Sequence, residues 1–180
     1  EMGSHILVAT RDNNFVVTSN VDAGSISIIN RKLGTINTIK TGNGAEGLAL
    51  TPDHQHVWVG NTQANTISVV RIIDGLIVKE FPSHGRFPVK MVMAQSTDEA
   101  WVVNTFSREI AILNVNTGDL IEKLTFNSPP LGIQISSDNQ RVYATFPRLN
   151  EVRVFNRKTR QEITRTDQVM EGDGMTWAMI

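Results

Sequence analysis

Trp58-Val59-Gly60-Asn61 recurs along the chain as Trp101-Val102-Val103-Asn104 and, more loosely, as Val17-Thr18-Ser19-Asn20 and Tyr143-Ala144-Thr145-Phe146. Successive copies are offset by 41, 43 and 42 residues. Other features fall into register at the same offsets, which a chance tetrapeptide match would not produce. Asp12, Asp53, Ser96 and Asp138 occupy one turn. Ile26-Ser27-Ile28, Ile67-Ser68-Val69, Ile110-Ala111-Ile112 and Val152-Arg153-Val154 occupy one alternating segment. Gly34, Gly75 and Gly118 mark the next turn, with Arg160 as the exception. Self-similarity at a fixed period of this kind is the signature of stacked structural repeats.

Within each unit, apolar and polar residues alternate with period two, and turn residues interrupt them every eight to twelve positions, which predicts four short strands. The first strand, around Leu7, Leu48, Met91 and Ile133, is apolar on both faces, as expected of an inner strand held between neighbouring sheets. The second carries Val17, Trp58, Trp101 and Tyr143, and the third is the Ile-x-Val segment. The fourth, around Ile36, Ile77, Leu120 and Ile163, is more polar and suits an exposed edge. Its register is the loosest, because the repeat offset from Leu120 lands on Glu162 and the apolar residue comes one place later.

A twisted four-stranded sheet cannot bury both faces alone, so such units pack face to face around an axis. The expected fold is therefore all-β: a β-propeller of four four-stranded blades plus the first strand of a fifth. The repeats resemble the YVTN family of β-propeller repeats, in which an aromatic, a valine, a small residue and Asn close the second strand. Trp58-Val59-Gly60-Asn61 is the best match, and the resemblance spans nearly the whole chain. Phe146 departs by replacing the Asn, which predicts a disturbed turn in the fourth unit. Expected blades run over residues 1–43, 44–85, 86–128 and 129–171, and 172–180 start the next, all in a single propeller domain or fragment of 1–180. Units of this size are similar to those of seven- or eight-bladed rings, so the chain reads as an arc of a larger ring. Its open blade ends would favour self-association.

Composition narrows the functional classes. Against 17 Lys and Arg stand 18 Asp and Glu, for a formal charge of −1, so no long-range field draws nucleic acid or anionic lipid to the whole molecule. Cysteine is absent, which excludes disulfides, thiolate metal sites and a cysteine nucleophile. No stretch approaches the roughly 18–20 apolar residues of a spanning helix, and the start of the chain has no basic-then-apolar export pattern. Membrane insertion is not expected. The YVTN-type resemblance implies an extracytoplasmic setting, whether periplasmic, secreted or at the cell surface.

Several local patterns suggest chemistry but suit a structural role better. Gly42-Asn43-Gly44-Ala45-Glu46-Gly47 fits G-x-G-x-x-G, yet an inner strand and its turn follow it, not the helix whose amino terminus receives a pyrophosphate. His54-Gln55-His56 beside Asp53 invites a metal, but it falls in a polar hairpin and no third ligand is suggested. The recurring Asn20, Asn61 and Asn104 read as turn formers. Trp58 and Trp101 read as packing between blades, not as a stacking platform.

The more suggestive group lies on loops expected at one end of the blades. Ser83 to Lys90 and Arg108 form a basic cluster, and His84, Arg86, Lys90, Arg108, Arg148 and Glu46 are the candidate ligand-binding residues. Asp22, Glu171 and Asp173 are expected at the same end. Such a set could hold a carboxylate, a phosphate or an acidic loop, with Arg supplying a bidentate fork. No nucleophile with an adjacent base is legible, nor a pair of carboxylates at a hydrolytic spacing. The expected function is a non-catalytic binding or scaffold module that recognises a protein, a glycan or a small anionic ligand. No cofactor, catalytic residue or metal ligand is assigned. The alternative is an enzyme or cofactor-bearing propeller, similar to lactonases, lyases or haem-d1 propellers, with His84 and Glu46 over the channel.

Overall fold

A computed structural model describes residues 3–95, 97–169, 172, 173 and 175. Ser96, Glu171 and, of the expected fifth strand, Gly174 and residues 176–180 lie outside the described residues.

Each repeat forms one antiparallel sheet whose strands pair in chain order. The first holds β1 (Ser4–Ala9), β2 (Phe15–Asn20), β3 (Ser25–Asn30) and β4 (Thr35–Lys40). The second holds β5 (Ala45–Leu50), β6 (His56–Asn61), β7 (Thr66–Arg71) and β8 (Ile77–Pro82). The third holds β9 (Pro88–Met93), β10 (Glu99–Asn104), β11 (Glu109–Asn114) and β12 (Leu120–Thr125). The fourth holds β13 (Ile133–Ile135), β14 (Arg141–Phe146), β15 (Glu151–Asn156) and β16 (Glu162–Thr166). Two compact units divide at Val89. The register of the outer strand slips by one residue in the last three sheets, between Val69 and Val70, Ile112 and Leu113, and Val154 and Phe155. The slip is the same in all three, placing Ile77, Leu120 and Glu162 at equivalent positions, so the offset read around Ile163 is a change of residue and not of register.

In the first unit the core fills the space between sheets one and two. Val17, Ile26 and Ile28 from one face meet Val57, Val59 and Val70 from the other, with Leu48 and Ile72 beside them. Trp58 points to the opposite face of its sheet, fully buried, and its ring meets Phe81 edge-on at 4.9 Å. The first strand is not uniformly an inner strand, since Leu7 is exposed. It pairs with Thr18 on the face of sheet one away from this core.

The second unit repeats the scheme with one change of chemistry. Trp101 is fully buried in the position of Trp58, and the Arg160 guanidinium lies 5.1 Å above its ring. Arg160 stands where the other units have Gly34, Gly75 and Gly118, and it adopts the same left-handed backbone, at φ 65°. A bulky residue there is strained. Its side chain explains the choice: Nη2 donates to Glu99 Oε1 at 2.6 Å, Nε lies 3.5 Å from Glu122, and Arg157 donates to Glu99 Oε2 at 2.6 Å. Burial alone would raise the Glu99 carboxyl, but the two guanidiniums outweigh it and hold the group below its ordinary range.

The recurring asparagines are structural, though not through the turn conformation expected of them. Asn20, Asn61 and Asn104 are buried strand ends. Asn61 donates to Thr66 and Ser68 at 3.0 Å and accepts from the Thr41 hydroxyl at 3.1 Å, which ties its sheet to the link entering it. A Cβ on Gly42 would come within 2.7 Å of this amide, so the first glycine of G-x-G-x-x-G is needed for close packing. In the fourth sheet Phe146 replaces Asn and Arg153 replaces the strand-three Ser. The guanidinium sits 4.3 Å over the Phe146 ring, donates to Glu151 at 2.8 Å, and Phe126 packs edge-on against Phe146. The disturbance expected of the fourth turn does not occur. Each strand-two-to-three turn ends on a left-handed residue four places after the strand: Gly24, Asn65, Arg108 and Asn150.

Candidate functional site

The two ends of each sheet differ in what they carry. At one end lie the strand-two-to-three turns and the links between sheets, and at the other the strand-one-to-two and three-to-four turns. The candidate residues belong to the first end.

In the first unit, His84 and Arg86 ride on Ser83–Phe87, the link that leaves β8. Asn65 holds both ends of this loop: its carbonyl accepts the Ser83 N–H at 3.0 Å and its side-chain oxygen accepts the Phe87 N–H at 2.8 Å. The buried Ser83 hydroxyl donates to the Gly85 carbonyl at 3.0 Å. His84 and Phe87 are both left-handed, at φ 58° and 64°. Two such residues in one short loop concentrate strain where side chains are presented to solvent, a pattern common at binding sites. Glu46 is not part of this loop. It lies on β5, half-buried, with its carboxylate 3.4 Å from Nδ1 of His5.

In the second unit, Lys90 on β9 donates to the Asp173 carboxylate at 2.5 Å and to its carbonyl at 3.0 Å. The Lys90 charge is thereby neutralised. Arg108 and Arg148 sit on equivalent exposed turns of the third and fourth sheets, each containing a short 3-10 segment (Thr105–Ser107 and Pro147–Leu149). Arg108 is itself the left-handed turn residue and donates to the Asn127 carbonyl at 3.4 Å.

The other end holds His54, which the sequence assigns to a polar hairpin. His54 is left-handed at φ 56°, and its Nδ1 accepts the backbone N–H of Arg11 from the neighbouring sheet at 3.0 Å. It lines a cleft of about 400 Å³ within the first unit, with Arg11, Phe15, Arg71, Ile72 and Ile73. Among the described residues no three His, Asp or Glu side chains gather as a metal site. No helix among them is long and apolar enough to cross a membrane.

Solved structures with this arrangement of sheets are β-propellers. Hydrazine synthase from Kuenenia stuttgartiensis superposes with a TM-score of 0.83 at 17% identity, over 91% of this chain and 48% of that one. The Cps50 (Swd1) β-propeller domain from Myceliophteria thermophila superposes with a TM-score of 0.78 at 10% identity, over 95% of this chain and 57% of that one. The chain thus spans about half the length of the structures it matches. At these identities the likeness defines the class by fold alone: an all-β chain with β-propeller architecture. No protein-family model matches the sequence, and no curated protein matches it.

Proposed function

We propose that this chain is a non-catalytic recognition module of the YVTN-repeat type, which presents loops at one end of its sheets to an acidic protein segment, a glycan or a small anion. The observation that carries the reading is the loop Ser83–Phe87. Its backbone is fixed by Asn65 and the Ser83 hydroxyl, so His84 and Arg86 are displayed on a framework already ordered before any partner arrives. Preordering lowers the entropic cost of association. Arg86 is exposed and supplies a planar fork suited to carboxylate or phosphate. The resemblance to YVTN-type repeat proteins supports a setting outside the cytoplasm for this work.

The test is a titration with pyrophosphate and, separately, with an oligo-glutamate peptide, following the backbone amides of 83–87 by NMR. A saturable shift that falls with added salt and weakens about tenfold or more in Arg86→Ala supports the reading. Shifts that are unaffected by Arg86→Ala, or that never saturate, refute it. A propeller enzyme is the second reading, and the pairing of the half-buried Glu46 carboxylate with the exposed His5 imidazole favours it. A stoichiometric metal, or a haem band in the visible spectrum of the purified protein, would decide for that alternative.

A further inference from the structure

The internal repeat supplies its own alignment, and one unit breaks it at several positions that meet in space. Three of the four turns between the third and fourth strands begin with Asn30, Asn114 and Asn156, whose side-chain oxygens accept the N–H groups two and three residues on. The second repeat has Arg71 there. Its turn keeps the same backbone bond, Gly75 N–H to Arg71 carbonyl at 2.9 Å, equivalent to Gly34 to Asn30, Gly118 to Asn114 and Arg160 to Asn156. Asp74 takes over the capping, accepting from Leu76 N–H at 3.2 Å and from the Arg71 guanidinium. Two places later, Lys32, Asn116 and Lys158 are matched by Ile73, which is 72% exposed. In the turn between the first and second strands, the left-handed Asn13 and Asn139 are matched by the left-handed His54.

Asn serves these turns in other repeats, so none of the three substitutions is required by its own turn, although Arg71 braces the capping Asp74 and His54 accepts the Arg11 N–H. Asn is better suited than His to left-handed backbone and to capping, and an exposed Ile gains nothing from water. Yet Arg71, Ile73 and His54 all line the cleft of about 400 Å³ between the turns of sheets one and two. Departures that the local turns do not require and that converge in space mark a site. The volume lies within the range of small-ligand pockets.

The donor inventory says what the site takes. Because Nδ1 of His54 accepts the Arg11 N–H, the neutral ring carries its hydrogen on Nε2 and offers it as a donor. Arg71 commits Nε and Nη2 to Asp74, which leaves Nη1. The Arg11 guanidinium makes no hydrogen bond or ion pair among the described residues. The acids are largely spent on their own turns: Asp12 accepts from Thr10 and Asn14, and Asp53 Oδ1 accepts from the Thr51 hydroxyl at 2.6 Å and Gln55 N–H at 3.0 Å. Asp53 Oδ2 remains as an acceptor. Phe15, Ile72 and Ile73 supply apolar wall. We infer that this cleft binds an apolar N-acyl amino acid carboxylate, free or as the C-terminal residue of a peptide: its carboxylate on Arg11 and His54, its side chain on Ile72 and Ile73, its amide N–H toward Asp53.

The site is independent of the loop Ser83–Phe87, which lies at the other end of the sheets. The test uses the full chain and three probes: N-acetyl-leucine, N-acetyl-leucinamide, which lacks the carboxylate, and hexanoate, which lacks the amide. Binding is followed at the His54 ring nitrogens and the Ile73 methyls by NMR. A ligand this small is expected to bind with a Kd of about 1 mM. N-acetyl-leucine should saturate, hexanoate should bind more weakly, and the amide should not saturate. Arg11→Ala and His54→Asn should each weaken N-acetyl-leucine about fivefold or more. His54→Asn installs the residue that two other units use at this turn, so its melting temperature reports an intact fold. If hexanoate binds as well as N-acetyl-leucine, the amide part of the inference fails. If the amide probe binds as well as the acid, if no probe saturates, or if both variants bind unchanged, the site is refuted. A tripeptide ending in leucine distinguishes the sources: binding tighter than N-acetyl-leucine supports a peptide terminus, and exclusion supports a free small acid.

Discussion

Replacing Glu99 by Gln tests how the third and fourth sheets are joined. Glu99 receives Arg157 and Arg160, each at 2.6 Å, and the side chains involved are 18%, 14% and 12% exposed. Exposed ion pairs contribute about 0–1 kcal/mol, whereas removing one partner from a fully buried pair costs about 3–5 kcal/mol. This cluster is close to the buried limit without reaching it, so Glu99→Gln should cost about 2–3 kcal/mol. A chain of this size loses about 2–4 °C in Tm per kcal/mol, which predicts a drop of about 4–12 °C in a thermal melt. Arg160→Gly alone should cost less, since it also relieves left-handed strain of about 1–2 kcal/mol. In the Glu99→Gln background the same change should be neutral or stabilising, because it then removes a guanidinium that has lost its main acceptor. The dependence on pH has a definite sign. The folded Glu99 carboxyl lies below its ordinary value, so its contribution is complete above the unfolded pKa of about 4.3. It disappears as pH falls through the lower folded value. The deficit of Glu99→Gln should therefore shrink in acid. An equal cost for Arg160→Gly in both backgrounds would refute this account.

Trp58→Ala should lose about 3–5 kcal/mol by leaving a cavity against Phe81, measured by urea unfolding, whereas a loss under about 1 kcal/mol would contradict full burial. Phe146→Asn should destabilise the chain by stripping Arg153 of its ring, and adding Arg153→Ser should recover part of the loss by recreating the Asn–Ser pair of the first two units; strict additivity would show the pair uncoupled. Asp12, Asp53 and Asp138 are held below the ordinary carboxyl value: Asp12 and Asp138 chiefly by hydroxyl donors, Asp53 by donors that outweigh its burial. Their contribution is present above the unfolded pKa of about 3.9 and lost as pH falls through the folded values, so melts below pH 4 should show a Thr51→Ala variant losing less stability than it does at pH 7.

The sheets were legible because their signals are local and repeated. Period-two alternation, turn residues at fixed offsets and the aromatic at Trp58 and Trp101 all speak within one unit, and four units speak together. The role of Asn61 was half legible: recurrence marked it as structural, but its partner Thr41 lies across the link from the previous sheet, and only packing reveals that. Arg160 illustrates the same limit. Its place in the glycine series was plain, while the reason for it, Glu99, is about sixty positions distant. The basic residues of Ser83–Lys90 were visible as charge, but the left-handed Phe87 and the neutralisation of Lys90 by Asp173 depend on tertiary contacts. The cleft was hidden because its residues come from three separate turns, each polar enough to look ordinary. A signal did exist in Arg71 standing against Asn30, Asn114 and Asn156, but it means little until Ile73 and His54 are seen beside it.

Four turns that close on Gly24, Asn65, Arg108 and Asn150 share one backbone path while carrying Val-Asp-Ala, Thr-Gln-Ala, Thr-Phe-Ser and Pro-Arg-Leu in between. Geometry and chemistry are thereby partly uncoupled: a left-handed residue closes each turn, Thr62 and Thr105 are tied to the Gly44 and Pro130 carbonyls, and the exposed middle residues Asp22, Gln63, Phe106 and Arg148 can be rewritten. Such an edge is a set of interchangeable sockets. New specificity can be acquired by exchanging these middle residues, one blade at a time, without renegotiating the scaffold beneath.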